Sequence, residues 1–149
     1  WSVAVGLSAE TGNTPEEKDG KVKDVYPWGT QWPLPKGAGN YGPSLGVDSY
    51  DNTSPVGSFP ANRLGLYDMG GNVWQWCEDW YRASMNENAV LEENPALKND
   101  GGGRTSRVVR GGAWCNDGPK RLLSSRRSFD LPGSRDNAYG FRCVLGSSR

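Results

Sequence analysis

Residues Gly65 to Trp80 read GLYDMGGNVWQWCEDW, and this stretch constrains the fold more than any other. Trp74, Trp76 and Trp80 follow closely behind the adjacent glycines Gly70 and Gly71. A buried aromatic ring removes about 150–250 Å² from water, so a cluster of this density is a core in itself. The glycines let the backbone turn tightly beside it and leave its carbonyls exposed. Asp68, Asn72, Gln75, Glu78 and Asp79 add a run of side-chain oxygens. The plain reading is a tryptophan-rich core strand with a turn in front; the alternative is a strand that also carries a site.

The chain of 149 residues has the length of one domain, 1–149, able to bury about 68–70% of its unfolded surface. Its 21 glycines and 10 prolines, about a fifth of all residues, predict many turns and few long elements. Seventeen basic and seventeen acidic residues give no net charge, which argues against nucleic acid or an anionic membrane as the main partner. No apolar run approaches the roughly 20 residues that span a bilayer, and none has the pattern of a signal peptide. The three cysteines, Cys77, Cys115 and Cys143, leave at least one thiol unpaired in a monomer. There is no histidine, which excludes His-ligated zinc and a Ser-His-Asp triad within these residues.

Along the chain, Trp1 to Leu7 reads as the end of a helix, and Ser8 to Lys23 as a surface loop. Within that loop Thr14-Pro15-Glu16-Glu17 is a capped start for one helical turn. Val25 to Trp32 (VYPWGTQW) predicts a short buried strand and a bend. Pro33 to Asn62 reads as loop, long enough that something should tie it down, and Asn40, Asp48, Asp51 and Asn52 offer oxygens for that purpose. Tyr81 to Thr105 reads as a polar insertion with possible helical turns between Asn86 and Leu97. Arg107 to Val109 predicts a strand entering the Gly111-Gly112 turn, and Gly140 to Leu145 a closing strand.

Five pieces, YPWG (Tyr26 to Gly29), GAGNY (Gly37 to Tyr41), SPVGSFPANRLGLYDMGGNVWQWCEDWY (Ser54 to Tyr81), RVVRGGAW (Arg107 to Trp114) and GFRC (Gly140 to Cys143), together resemble the formylglycine-generating enzyme, or sulfatase-modifying factor, family. The resemblance covers almost the whole chain. It implies an α+β, C-type-lectin-like fold with little regular secondary structure, a fold that hosts oxidases, sulfoxide synthases and non-catalytic binding domains alike. Trp1 falls inside what resembles the family's EAEWEYA helix, so further sequence is expected before it, and export is left open. The lack of histidine excludes the three-histidine iron site of related sulfoxide synthases.

The resemblance further implies structural calcium. At a first site Asp68 and Gln75 would supply side-chain oxygens and Gly71 and Val73 carbonyls, with the neutral Gln75 standing where glutamate is commoner. At a second site Asn40 and Asp48 would supply side chains, and Tyr41 and Tyr50 carbonyls. Calcium takes six to eight hard oxygens on a backbone able to curl around it. The plain alternative at the second site is that Asn40 and Asp48 make Asx-turns.

Formylglycine formation in the family needs a C-x-x-x-x-C pair whose thiolates bind copper(I), a soft ligand set for a soft ion. Here the turn reads GGAWCNDGPK, with Cys115 in the place of the first thiol and Lys120 in that of the second. Copper is therefore not expected, and Cys115 is a catalytic candidate only if the domain is an enzyme. Otherwise Cys115 is a buried small residue, a disulfide partner of Cys77 or Cys143, or a thiol activated by Lys120 and Arg121. Cys143 falls in a motif where a core or disulfide role is usual. Arg110 and Arg142 are assigned to structure, as ion-pair or carbonyl-bonding residues.

The segment between Trp114 and Tyr139 is polar and rich in arginine, and in this fold it lines an exposed cleft. The same segment is diversified in the variable proteins of diversity-generating retroelements, which this chain also resembles. Their adjustable positions would correspond to Cys115, Asn116, Asp117, Lys120, Ser128, Phe129, Asp130, Ser134, Asp136, Asn137 and Tyr139. A mixture of Asp, Asn, Ser, Tyr and Phe suits a recognition surface. The expectation is a non-catalytic domain that binds a protein or small-molecule ligand, with a formylglycine-type oxidoreductase acting on a protein cysteine as the alternative.

Overall fold

A computed structural model describes residues 1–7, 9–81 and 106–145. The expected insertion falls almost entirely on residues 82–105, outside the described residues.

Helix α1 (Ser2–Val5) ends at Gly6, whose left-handed conformation (φ 95°) lets its N–H return to the helix. Helix α2 (Pro15–Lys18) carries the expected cap. The Thr14 side chain accepts from the Glu17 N–H, Glu17 reaches back to the Thr14 N–H, and Pro15 occupies the first turn.

Strand β1 (Trp74–Trp80) is the predicted tryptophan strand. It pairs antiparallel with β2 (Arg107–Arg110) and parallel with β4 (Tyr139–Gly140), while β3 (Ser128–Asp130) flanks β2, giving the order β3-β2-β1-β4. The closing strand is shorter than expected. Residues 141–145 lie past β4 without pairing, and Phe141, Val144 and Leu145 are exposed. Helix α3 (Pro119–Leu122) and strand β3 have no periodic pattern in sequence and were not anticipated.

Val25 to Trp32 does not form the predicted strand. Tyr26 and Gly29 bridge across a tight turn, and the Tyr26 and Trp28 rings stack at 4.8 Å. Pro and Gly in the middle of the stretch favour the turn over extension.

The long loop is tied down as expected, by a 3-10 helix (Pro43–Leu45) and by Asn72. Asn72 takes a positive φ of 62°, which asparagine tolerates better than most residues. Its Oδ1 accepts from the Ser54 N–H and the Asn40 amide, its N–H donates to the Asn40 carbonyl, and its own carbonyl accepts from Trp114. Gly71 passes so close that an added Cβ would lie 2.4 Å from the Asn40 carbonyl.

Three apolar clusters result. Trp74, Val109, Ala113 and Ala138 pack under the sheet with Trp76 and Trp114; Tyr26, Leu34, Tyr41, Val47, Leu122 and Leu123 hold the loops; Val5, Leu7 and Met69 seat the N-terminal helix.

Candidate functional site

The segment from Cys115 to Tyr139 divides into two exposed ends and a buried centre. Leu122, Ser124 and Ser125 have essentially no exposure, and Arg127 has 7%. The reading of this whole stretch as solvated cleft is thereby corrected. Its backbone and hydroxyls run against residues 20–25, through Ser124 N–H to the Val25 carbonyl and Ser125 Oγ to the Val22 carbonyl.

The two arginines that close this centre, the buried Arg127 and the part-exposed Arg126, find acids that lie far off in sequence. Arg127 grips Glu10 with both terminal nitrogens, at 2.6 and 2.8 Å. Asp19 accepts from the Arg126 guanidinium and the Arg127 N–H. Burial pushes the Glu10 carboxyl up, but hydrogen bonds from Arg127 and Ser2 and the charges of Arg127 and Arg110 outweigh it and hold it at about 2. The loop from Ser8 to Lys23 therefore anchors the core through Glu10 and Asp19.

Arg110 and Arg142 have the structural roles expected. Arg110 donates to the Ser124 carbonyl and lies over the Trp1 ring at 4.4 Å. Arg142 donates to the carbonyls of Tyr67 and Asp68.

At the exposed ends, the Tyr139 hydroxyl donates to Asp130 at 2.6 Å, and Asp130 also accepts from Ser134. Burial, this hydrogen bond and the charges of Asp130, Asp136 and Cys115 push the Tyr139 hydroxyl up to about 12, so it is a donor at neutral pH. The structure thus gathers Asp130, Ser134 and Tyr139 in one hydrogen-bonded group, with Asp136 accepting from the Ala138 N–H next to it in the chain. Tyr139 rests edge-on against Trp76. Asp117 is exposed and accepts from Ser44, while Lys120 and Asn137 are exposed.

Two of the expected ligand positions do not belong to this face. Asn116 is buried, its Oδ1 accepting from the Ala113 N–H and its carbonyl from the Gly42 N–H, so it builds the turn. Phe129 lies on the opposite side of β3 from Ser128 and Asp130, as strand alternation requires, and stacks on Tyr81 at 4.1 Å.

All three thiols are free. Cys115 and Cys143 are exposed, which corrects the buried or disulfide-paired readings of Cys115 and the core or disulfide reading of Cys143. Cys77 is part-buried on β1, and burial pushes its thiol up to about 11.

The two expected calcium clusters differ. At the second, Asp48 receives the N–H groups of Tyr41 and Tyr50, one on each carboxylate oxygen, so it sits between them. Among the described residues nothing donates to the buried Asn40 Oδ1 or to the Tyr41 and Tyr50 carbonyls. Such a set of oxygens fits a calcium ion. These contacts also show that Asp48 makes an Asx-turn onto Tyr50, which does not compete with a cation for the remaining lone pairs.

At the first cluster the fit fails. The single amide oxygen of Gln75 already accepts from Trp1 Nε1 at 3.0 Å and Arg142 Nε at 2.8 Å, which uses both of its lone pairs, whereas Asp68 Oδ2 accepts only from the Gly57 N–H.

A groove of about 570 Å³ lies elsewhere, between the loops 25–39 and 59–70, walled by Tyr26, Trp28 and Phe59 with Lys36 and Arg63 among its lining residues. Sequence reading missed it. Its one signal was YPWG, read as a strand.

A mixed sheet with few helices, large loops and a tryptophan-lined centre defines an α+β, C-type-lectin-like domain. Residues 8–146 match the model of the sulfatase-modifying factor enzyme 1-like domain, and the chain belongs to that family. It is 38% identical over 125 residues to the serine/threonine-protein kinase Pkn1 of Chlamydia trachomatis, covering 84% of this chain and 18% of that protein. It is 35% identical over 136 residues to the formylglycine-generating enzyme of Thermomonospora curvata, covering 80% of this chain and 42% of the enzyme. Among solved structures it superposes on Treponema denticola variable protein 1 with a TM-score of 0.59 and 28% identity, over 86% of this chain and 44% of the other. The chain spans less than half the length of these relatives. No helix among the described residues is long and apolar enough to cross a membrane.

Proposed function

We propose that this domain is a non-catalytic binding module whose ligand, a protein or a small molecule, docks on the exposed ends of the Cys115 to Tyr139 segment. The observation that carries the reading is the separation of roles within that segment. Its centre is locked into the core by Arg126, Arg127, Ser124 and Ser125, while Cys115, Asp117, Lys120, Asp136 and Asn137 project from the framework so held. Recognition is commonly placed on loops carried by a rigid scaffold. Likeness to the variable protein supports the same face, and diversification by a retroelement would act on it.

Calcium at Asn40, Tyr41, Asp48 and Tyr50 would be structural, fixing the long loop against the Gly71-Asn72 turn. When bound at 100 times its dissociation constant it would add about 2.7 kcal/mol.

A second reading, oxidation of a protein cysteine, is favoured by one observation. The Cys115 thiol is free and exposed at the start of this same segment. Lys120 stands where the second copper thiolate would be, and this weighs against it.

The test is a quadruple variant, Cys115→Ser, Asp117→Ala, Lys120→Ala and Asn137→Ala, compared with wild type on peptide and glycan arrays. The expected result is an unchanged thermal midpoint and loss of the features that wild type binds. Retention of those features, with loss on Trp28→Ala, would move the binding site to the aromatic groove.

A further inference from the structure

The turn from Asp68 to Gln75 has the oxygen-rich outline of a cation loop, yet two of its oxygens, the Asp68 carbonyl and Gln75 Oε1, already face a cation from the chain itself. Arg142 Nη2 donates to the Asp68 carbonyl at 2.8 Å and the Tyr67 carbonyl at 2.9 Å, and Arg142 Nε donates to Gln75 Oε1 at 2.8 Å. Trp1 Nε1 takes the same Gln75 oxygen, and Gln75 Nε2 donates to the Asp68 carbonyl at 2.8 Å. Both ends of the loop are thus closed on one guanidinium and one amide.

We propose that Arg142 substitutes for a divalent ion in this loop, so that residues 68–75 bind no calcium. Two features make the substitution self-consistent. Gln75 is neutral, and an amide has a single oxygen, whereas a carboxylate has two and could serve an arginine and a metal together. A calcium ion held by Gln75 would also have to share that oxygen with the like charge of Arg142, whose repulsion disfavours the ion. The planar guanidinium can bond carbonyl and amide oxygens in several directions at once, as a small ion would, and it needs no free metal to do so.

The inference is independent of calcium at Asn40 and Asp48, and the two fail differently. Metal-free full chain would be titrated with calcium chloride by calorimetry, and with terbium by sensitised luminescence, alongside Asp48→Ala and Asp68→Asn. The expected result is at most one ion per chain, unaffected by Asp68→Asn and lost in Asp48→Ala. Zero ions in wild type would remove the Asn40 and Asp48 reading while leaving this one standing. Two ions in wild type, or binding that survives Asp48→Ala and disappears in Asp68→Asn, would overturn it. The reciprocal variant, Gln75→Glu with Arg142→Met, should bind one ion per chain more than wild type. A folded double variant that gains none would refute the substitution by Arg142. If circular dichroism shows the double variant unfolded, the wild-type count and Asp68→Asn decide the matter.

Discussion

Replacing Glu10 by glutamine keeps the shape of the side chain and removes its charge, leaving the buried Arg127 guanidinium with neutral oxygens such as the Ser125 carbonyl and the Ser2 hydroxyl in place of a counter-ion. Both ionic side chains have under a tenth of their surface exposed, 8% for Arg127 and 9% for Glu10. Breaking such a pair from one side costs about 3–5 kcal/mol. The pH linkage gives a similar figure: a carboxyl held at about 2 in place of 4.5 contributes roughly 3 kcal/mol. Some water reaches Glu10, so the lower end, about 3 kcal/mol, is expected. In a domain of this length that is a fall of about 6–12 °C in thermal midpoint.

The sign with pH follows from the depressed carboxyl. The contribution is fully present above the unfolded value of 4.5 and is lost as pH falls towards about 2. Urea unfolding of wild type and Glu10→Gln from pH 7 to pH 2 should show a gap of about 3 kcal/mol at neutrality that closes at the acid end. A gap under about 0.5 kcal/mol at pH 7, the range of an ordinary surface change, would refute the reasoning. So would a gap that persists unchanged at pH 2.

Truncating Trp74 to alanine should cost about 3–5 kcal/mol by chemical denaturation, because the ring is buried against Val109, Ala113 and Ala138. Thr14→Ala should cost about 1 kcal/mol through loss of the cap on α2, measured in the same way. Native protein at pH 8 should react with a disulfide reagent at Cys115 and Cys143, while Cys77, held at about 11, waits for unfolding, as peptide mapping would show. Copper(I) titrated against a chromophoric competitor should show no stoichiometric tight site that disappears in Cys115→Ser.

The strand from Trp74 was legible because aromatic density and paired glycines act locally, and the cap at Thr14 because a four-residue pattern contains its own hydrogen bonds. Arg110 and Arg142 were legible through their glycine-flanked motifs. Arg127, in the segment read as lining a cleft, was misread because charge alone suggests solvent. Its burial depends on Glu10 and Asp19, over a hundred residues away, in a loop with no periodicity. Asn116 was misplaced for a related reason: asparagine serves a recognition surface and a turn equally well, and only the closure of its Oδ1 on Ala113 distinguishes them. The Val25 to Trp32 stretch has aromatic residues suited to a strand, but Pro27 and Gly29 decide for a turn. At Gln75 the sequence offered an oxygen, and the fold spent its lone pairs on Trp1 and Arg142.

The central claim, that this face binds without oxidising, is tested most directly by dioxygen uptake. Wild type supplied with copper(I) and a cysteine-containing peptide would be followed with an oxygen electrode beside Cys115→Ser. The account predicts equal rates for the two proteins, set by copper and thiol alone in the same buffer. Uptake that depends on both copper and peptide, exceeds that background and disappears in Cys115→Ser would contradict it.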